Sequence, residues 1–490
     1  MKKLLLIIML FTLFVSPFSA IAVSNNQAEL IKEFMDNAME EYNIPGASLV
    51  IIKNGDLVFQ ENWGVQSNGS PVTNDTLFTL GSVSKPLTSL GIMMLVQQNI
   101  IDLDQAIDTY IPSFTYNQNG HEQKITIRHL LSHTSGISSY EGLKIAELNL
   151  RGKDAINDAV QKLNNVELNH EPGKVHQYSA ANYLLLGKII ENVTNQSFTE
   201  FMNEELFSKL GMNQTVSNYK SASELGYQPG FQSWFGKPIQ SENIYDDSGA
   251  PYGYISSTSN DMAKYIQFLI KGEGLLSKQN FETYISPQVS RKEDMYYGLG
   301  WRISTKENDS FFFHGGETPD SRSELLVNSE KNYGFILLTN KNNISEVLQT
   351  TYMKEGIKAI IENGKLPESP KVTHQMQWMT LFGTTLLALL SVWNLFVLKR
   401  KSTIRKKMWI VVGLTSIICS IALIPALTYI FGAPWHTINY FAPDTAFLIK
   451  CLVGVLACNG FLLLSIIILE KKRRHFLKKK SIRMKLFHNR

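Results

Sequence analysis

The chain has 490 residues and a formal net charge of +4, yet the two signs are segregated: residues 23–398 hold 28 Lys and Arg against 41 Asp and Glu. An acidic body of that size argues against nucleic acid as a partner. The three cysteines, Cys419, Cys451 and Cys458, all fall in apolar C-terminal stretches, so nothing before them can form a disulfide, a thiolate nucleophile or a cysteine metal site.

Lys2 and Lys3 precede an apolar run from Leu4 to Val15, and Ala20-Ile21-Ala22 offers small residues at the spacing a signal peptidase reads. Residues 1–22 are therefore expected to be a signal peptide, with the mature chain starting near Val23. An amphipathic stretch from Ala28 to Tyr42 follows. Ala47 to Phe59 is rich in β-branched and apolar residues around Asn54-Gly55, a pair that accepts the left-handed backbone of a tight hairpin turn. Phe78-Thr79-Leu80 reads as a short strand, Gly81 permits a sharp turn, and Leu87, Leu90, Met93, Met94 and Leu95 supply one apolar helical face. Pro86 fits the first turn of that helix, where its missing amide has no partner to lose.

Helical patterns recur at Ile127 to Ser132, Ala181 to Glu191, Phe198 to Leu210 and Asp261 to Ile270, and strand-like runs return at Gly298 to Ile303, Ser310 to His314, Ser323 to Val327 and Tyr333 to Leu338. Strands at both ends of a helical middle predict an α+β fold: one antiparallel sheet made from both chain ends, flanked by helices, with a helical lobe and a cleft between them. Residues 23–365 are expected to form this unit.

A proline-broken connector, residues 366–375, leads to apolar stretches at 376–398, 408–431 and 446–469, each long enough to cross a hydrocarbon core of about 30 Å. The loop 399–407 has six basic residues and the tail 471–490 has ten, whereas 432–445 has one acid, Asp444, and no Lys or Arg. The positive-inside rule places the loop and the 470–490 tail in the cytoplasm and the 23–365 unit outside. A lipid bilayer is thus an expected partner, and a membrane protein partner held by the spans is an open option.

Ser82 and Lys85 stand three residues apart, so on a helix their side chains rise from one face and the amine can take the hydroxyl proton. By itself this spacing is a weak signal, since Ser217-Asn218-Tyr219-Lys220 repeats it. Its companions are Ile125-Thr126-Ile127-Arg128-His129-Leu130-Leu131-Ser132-His133-Thr134-Ser135-Gly136-Ile137, then Tyr178-Ser179, Leu210-Gly211-Met212, Tyr297-Gly298-Leu299-Gly300-Trp301 and His314-Gly315-Gly316. With these in order, the chain resembles the class C β-lactamase and penicillin-binding-protein-like serine hydrolases, which include D-amino-acid-specific peptidases and esterases.

The resemblance implies a Ser82 nucleophile, Lys85 as its base and Tyr178 as a second proton-transfer group. It also implies an oxyanion hole from the Ser82 and Glu317 amides, and a substrate-binding strand at His314, Gly315 and Gly316. No cofactor or metal is expected: His129 and His133 have ligand spacing but lack the glutamate of a zinc peptidase helix.

Two departures stand out. Relatives carry Tyr-x-Asn where this chain has Tyr178-Ser179-Ala180, and Asn182 would point elsewhere on a helix. After Gly316 many relatives have a glycine near the position of Asp320. Here Glu317 and Arg322 flank that segment, either as readers of a charged substrate group or, the favoured expectation, as a solvated loop pair.

The expected function is that of a membrane-anchored extracytoplasmic serine hydrolase. Its substrates would be small peptides, esters or β-lactam-like compounds, with D-amino acids from the cell wall or from secreted peptide metabolites. The alternative is a receptor acylated by β-lactam or muropeptide without turnover. Three spans exceed what an anchor needs, and the architecture is similar to that of prodrug-activating peptidases. Those carry an acidic residue three before the serine, where this chain has Thr79.

Overall fold

The computed structural model describes residues 25–120, 122–371, 373–400 and 406–488, so the expected signal peptide lies outside the described residues. Helix α1 (Asn25–Glu41) leads into β1 (Gly46–Lys53) and β2 (Asp56–Gly64). Asn54 and Gly55 join them with φ of 55° and 86°, the left-handed pair that the hairpin turn requires. The inserted lobe contains α2 (Ser84–Gln97), α3 (Ala180–Thr194) and α4 (Ser259–Lys271). The chain then returns through β3 (Val289–Lys292), β4 (Met295–Tyr297), β5 (Arg302–Lys306), β6 (Asp309–Thr318), β7 (Ser321–Asn328), β8 (Tyr333–Thr339) and α5 (Val347–Ile361).

These strands form one sheet in the order β2-β1-β8-β7-β6-β5-β4-β3. Every neighbouring pair is antiparallel, and the two chain ends meet where Ala47 faces Thr339 and Lys53 faces Tyr333. Strand periodicity sorts the core into two layers. Val50, Ile52, Leu325, Val327, Ile336 and Leu338 face the lobe. Their neighbours Leu49, Ile51, Leu326, Phe335 and Leu337 pack against Ile31, Met35, Met353 and Ile357 of α1 and α5. Central strands buried on both faces read as continuous apolar runs, which is why β1 and β8 lack a polar alternation.

Three long apolar helices follow: α6 (Gln375–Arg400), α7 (Lys406–Phe431) and α9 (Pro443–His488), with a short α8 (Trp435–Phe441) between the last two. By length and composition all three can cross a membrane. The third expected stretch, 446–469, lies inside α9, and the same helix runs on through the basic tail. Gly413 and Gly460 bring α7 and α9 together, since a Cβ on Gly460 would stand 2.7 Å from the Gly413 carbonyl oxygen.

The C-terminal helical segment touches the sheet-and-lobe unit through Asp444, which is 1 % exposed. Its carboxylate accepts hydrogen bonds from Phe235 N at 3.1 Å, Asn343 Nδ2 at 3.3 Å and Gln377 Nε2 at 3.3 Å. Gln232 Nε2 donates to Tyr440 O at 2.7 Å, and Phe235 packs on Trp378 with ring centroids 4.9 Å apart. Each buried donor left without an acceptor costs about 1–3 kcal/mol. Asp444→Ala is therefore expected to lower the melting temperature of the full chain in detergent and to speed tryptic cleavage at the exposed Lys371 several-fold. An unchanged melting temperature and cleavage rate would show that the docking does not depend on this carboxylate.

Candidate active site

The nucleophile turn is built by close approach. Phe78 and Thr79 pair antiparallel with Ser257 and Ser256, which brings the chain onto the sheet edge of the lobe. Gly81 then adopts φ +53°, and a Cβ there would stand 2.1 Å from the Glu317 amide nitrogen, so the position needs glycine for conformation and for space. Ser82 sits in the 3-10 turn Gly81–Val83, which runs straight into α2. On the facing strand a Cβ on Gly316 would stand 1.9 Å from the Leu80 carbonyl oxygen, and Ser323 Oγ donates to that same oxygen at 2.6 Å. Gly316 thus makes room for the nucleophile turn. The residues of β6 that line the cleft are its neighbours Gly315 and Glu317.

Lys85, in the first turn of α2, is 2 % exposed. Its Nζ stands 2.9 Å from Ser82 Oγ and donates to Tyr252 O at 2.7 Å. The rings of Tyr178, Tyr183 and Tyr252 surround it, with centroids 4.8, 5.7 and 5.8 Å away. Those ring faces favour the cation, but burial outweighs them. Burial first, then the positive charge of Arg302, hold the Lys85 amine well below the usual lysine range, with Glu147 opposing.

Tyr178 enters just before α3. Its hydroxyl is buried, faces Ser82, and makes no well-formed hydrogen bond of its own. Burial pushes its pKa up to about 12, so the phenol is a proton carrier at neutral pH. The ring rests on His133, with centroids 4.2 Å apart. His133 Nδ1 accepts from Ser179 N at 3.2 Å and lies 2.9 Å from Asn182 Nδ2. Asn182 is thus committed to the floor beneath the site and does not supply the amide that Ala180 lacks. Burial, reinforced by Lys85 whenever that amine is protonated, holds His133 well below the usual histidine range.

His314 is fully buried. Its Nε2 lies 3.2 Å from Tyr297 Oη and its Nδ1 2.8 Å from Gly315 O. With both ring nitrogens engaged, His314 supports the floor, and it is not among the residues that line the cleft. Glu317 and Arg322 depart from the sequence expectation of a solvated loop pair. They sit on a tight hairpin, where Thr318 pairs with Ser321, and Arg322 is 4 % exposed. Its guanidinium reaches Glu317 at 3.3 Å, Glu324 at 3.6 Å and Thr350 Oγ1 at 2.6 Å, so it is committed to the fold.

The cleft in front of Ser82 has a volume of about 890 Å³, and two ionisable groups on its wall escaped sequence reasoning. Arg302 opens β5 directly after the Tyr297-to-Trp301 motif, which was the available signal; its Nε is buried without a partner. Glu147 has φ +54°, and its Oε2 is also buried without a partner. Burial, then the charge of Asp246, push its carboxyl up to about 8, so it is a neutral acid at pH 7. Nothing local in the sequence marks it.

A serine hydroxyl beside a buried amine of depressed basicity, with a neutral phenol across a cleft, is the chemistry of a serine hydrolase of the acyl-transfer type. The Beta-lactamase family signature matches residues 29–356, and the chain belongs to that family. It is 30% identical over 329 residues to "Protein flp" of Staphylococcus aureus (strain MW2), covering 65% of this chain and 64% of that one. It is 29% identical over 346 residues to "Penicillin-binding protein 4*" of Bacillus subtilis (strain 168), covering 67% of this chain and 75% of that one. The fold is shared with the octameric penicillin-binding protein homologue from Pyrococcus abyssi, at a TM-score of 0.61 and 23% identity over 69% of this chain and 78% of that one. It is shared also with EstCE1, a hydrolase with promiscuous acyltransferase activity, at 0.57 and 19% over 64% and 93%.

A cation at residue 302 disfavours protonation of Lys85, so removing it raises the lysine pKa and leaves the base occupied to higher pH. Arg302→Gln is expected to shift the acid limb of the kcat/KM profile to higher pH. A limb that stays in place or moves to lower pH would contradict this coupling.

Proposed function

We propose that the chain hydrolyses peptide or ester bonds of D-amino-acid-containing substrates through an acyl-enzyme on Ser82, with the 23–365 unit on the outer face of a membrane. The observation that carries this reading is the 2.9 Å approach of the Lys85 amine, whose basicity burial lowers well below the usual lysine range, to Ser82 Oγ. Lys85 takes the hydroxyl proton as Oγ bonds to the substrate carbonyl carbon. The Ser82 and Glu317 amides hold the developing oxyanion, each donor being worth roughly 3 kcal/mol. Tyr178 delivers a proton to the departing amine or alkoxide. Water then attacks the ester, giving a proton to the Tyr178 phenolate while Lys85 returns its proton to Ser82 Oγ, which releases the acid and restores the site. The unpartnered Arg302 suits a substrate carboxylate, and the neutral Glu147 carboxyl can donate to a substrate carbonyl.

A second reading, a receptor that is acylated and held, is favoured by Ala180. The side-chain amide that relatives use at that position is missing, and deacylation would be slow without a substitute.

Intact-mass analysis of the full chain after fluorophosphonate and after a β-lactam, set beside Ser82→Ala, tests both readings. A single adduct lost in Ser82→Ala is expected, with the acyl adduct decaying over minutes for the hydrolase and persisting over hours for the receptor. Absence of any Ser82 adduct would overturn both. Tyr178→Phe is expected to keep phosphonylation while kcat on amide substrates falls about 10²–10⁴-fold, the usual weight of a general acid. Unaltered kcat would remove Tyr178 from the proton path.

A further inference from the structure

The cleft does not end within the hydrolase unit. Ser82, Lys85, Tyr178, Glu147 and Arg302 gather at one end of it, and at the other the lining passes to the membrane-side segment: Met376 of α6, Phe431 at the close of α7, and Ile438, Phe441 and Ala442 around α8. Ionisable groups are confined to the nucleophile end. The outer lining is mostly apolar but not wholly so: Gln375 and Thr437 belong to it, while Gln377 and Thr445, also there, turn their side chains to Asp444. Contacts fix this wall in place. His436 Nε2 lies 3.1 Å from both Leu143 O and Ala146 O, directly beside Glu147, and Asp444 ties the start of α9 to Phe235 and Asn343. The wall is continuous with three helices whose apolar surfaces are long enough to cross a membrane.

A cavity polar at the scissile end and apolar at the membrane end has the shape of an amphiphile. A hydrocarbon chain in the outer half would cover its apolar surface at about 25 cal/mol per Å², beside the Met376, Phe431, Ile438 and Phe441 side chains. We propose that residues 431–445, with the start of α6, form a subsite for the hydrocarbon tail of an amphiphilic substrate, which reaches Ser82 from the membrane surface. This inference rests on the acyl-enzyme reading and names the substrate class within it. On this account the membrane helices supply part of the active site as well as an attachment.

The direct test is an alkyl fluorophosphonate whose ten-carbon chain ends in a diazirine, applied to the full chain in nanodiscs. Phosphonylation of Ser82 followed by photolysis is expected to cross-link the Ser82 peptide to peptides within 431–445 or at 375–377. Labelled Ser82 with cross-links confined to other segments, or with none, would overturn the subsite while leaving the acyl-enzyme reading intact. Failure to label Ser82 would overturn both.

Hydrolysis of p-nitrophenyl butyrate and decanoate gives a second reading. The decanoate-to-butyrate ratio of kcat/KM is expected to be at least tenfold higher in the native chain than in Ile438→Asp or Ala442→Trp, with butyrate turnover within twofold. Equal ratios in all three chains would contradict the proposal. A variant that loses butyrate turnover and Ser82 labelling together has lost its fold, and the other variant decides.

Discussion

The site depends on keeping an amine dry. A lysine in water holds its proton up to a pH near 10.4 and cannot serve as a base at neutrality. Lys85 escapes that because α2 carries it into a chamber of tyrosine rings, with Ser82 and the Tyr252 carbonyl as its hydrogen-bonding partners. Every wall of the chamber comes from a different part of the chain: α3 brings Tyr183, the segment before it Tyr178, and the turn at Ala250–Tyr254 brings Tyr252. Arg302, from the sheet, adds a positive charge that reinforces the burial. The helical lobe and the sheet must therefore both be in place before the nucleophile can be activated.

A second constraint is steric and joins the same two layers. Leu80, Gly81 and Ser82 approach Gly316 and Glu317 so closely that neither glycine has room for a side chain. The approach sets the Glu317 amide beside the Ser82 turn, which is the arrangement an oxyanion hole needs. Antiparallel pairing of β6 with β7, and of β7 with β8, then carries this register back to β1 and the start of the domain. One sheet made from both chain ends thus fixes the distance between residues more than two hundred positions apart in sequence.

Much of this was legible locally. Asn54-Gly55 announced its hairpin because two successive left-handed residues have few chemical solutions, and Ser82 with Lys85 announced a shared helical face. The two-sheet-end architecture followed from where the strand-like runs fell. What escaped depends on neighbours that sequence cannot rank. Arg322 looked like a loop residue because its stretch is polar, yet Glu317, Glu324 and Thr350 enclose it. Glu147 sits in an irregular segment, and only the packing of that segment against the cleft and Asp246 makes it a neutral acid. Asp444 was visible as the lone acid of a short connection, but three of its donors, Phe235, Asn343 and Gln377, lie on elements far upstream. The third apolar stretch was clear in composition, whereas the continuation of α9 beyond it through the basic tail was not.

The protonation state of Lys85 carries the account, and it can be read directly. Heteronuclear NMR of the full chain labelled with [13Cε]lysine, assigned with Lys85→Met, follows that one carbon through a pH titration. We expect a single lysine that titrates well below the range of its exposed neighbours and is already neutral where the enzyme is active. A Lys85 signal that stays in the protonated position up to the ordinary lysine range would contradict the account, because the nucleophile would then have no base.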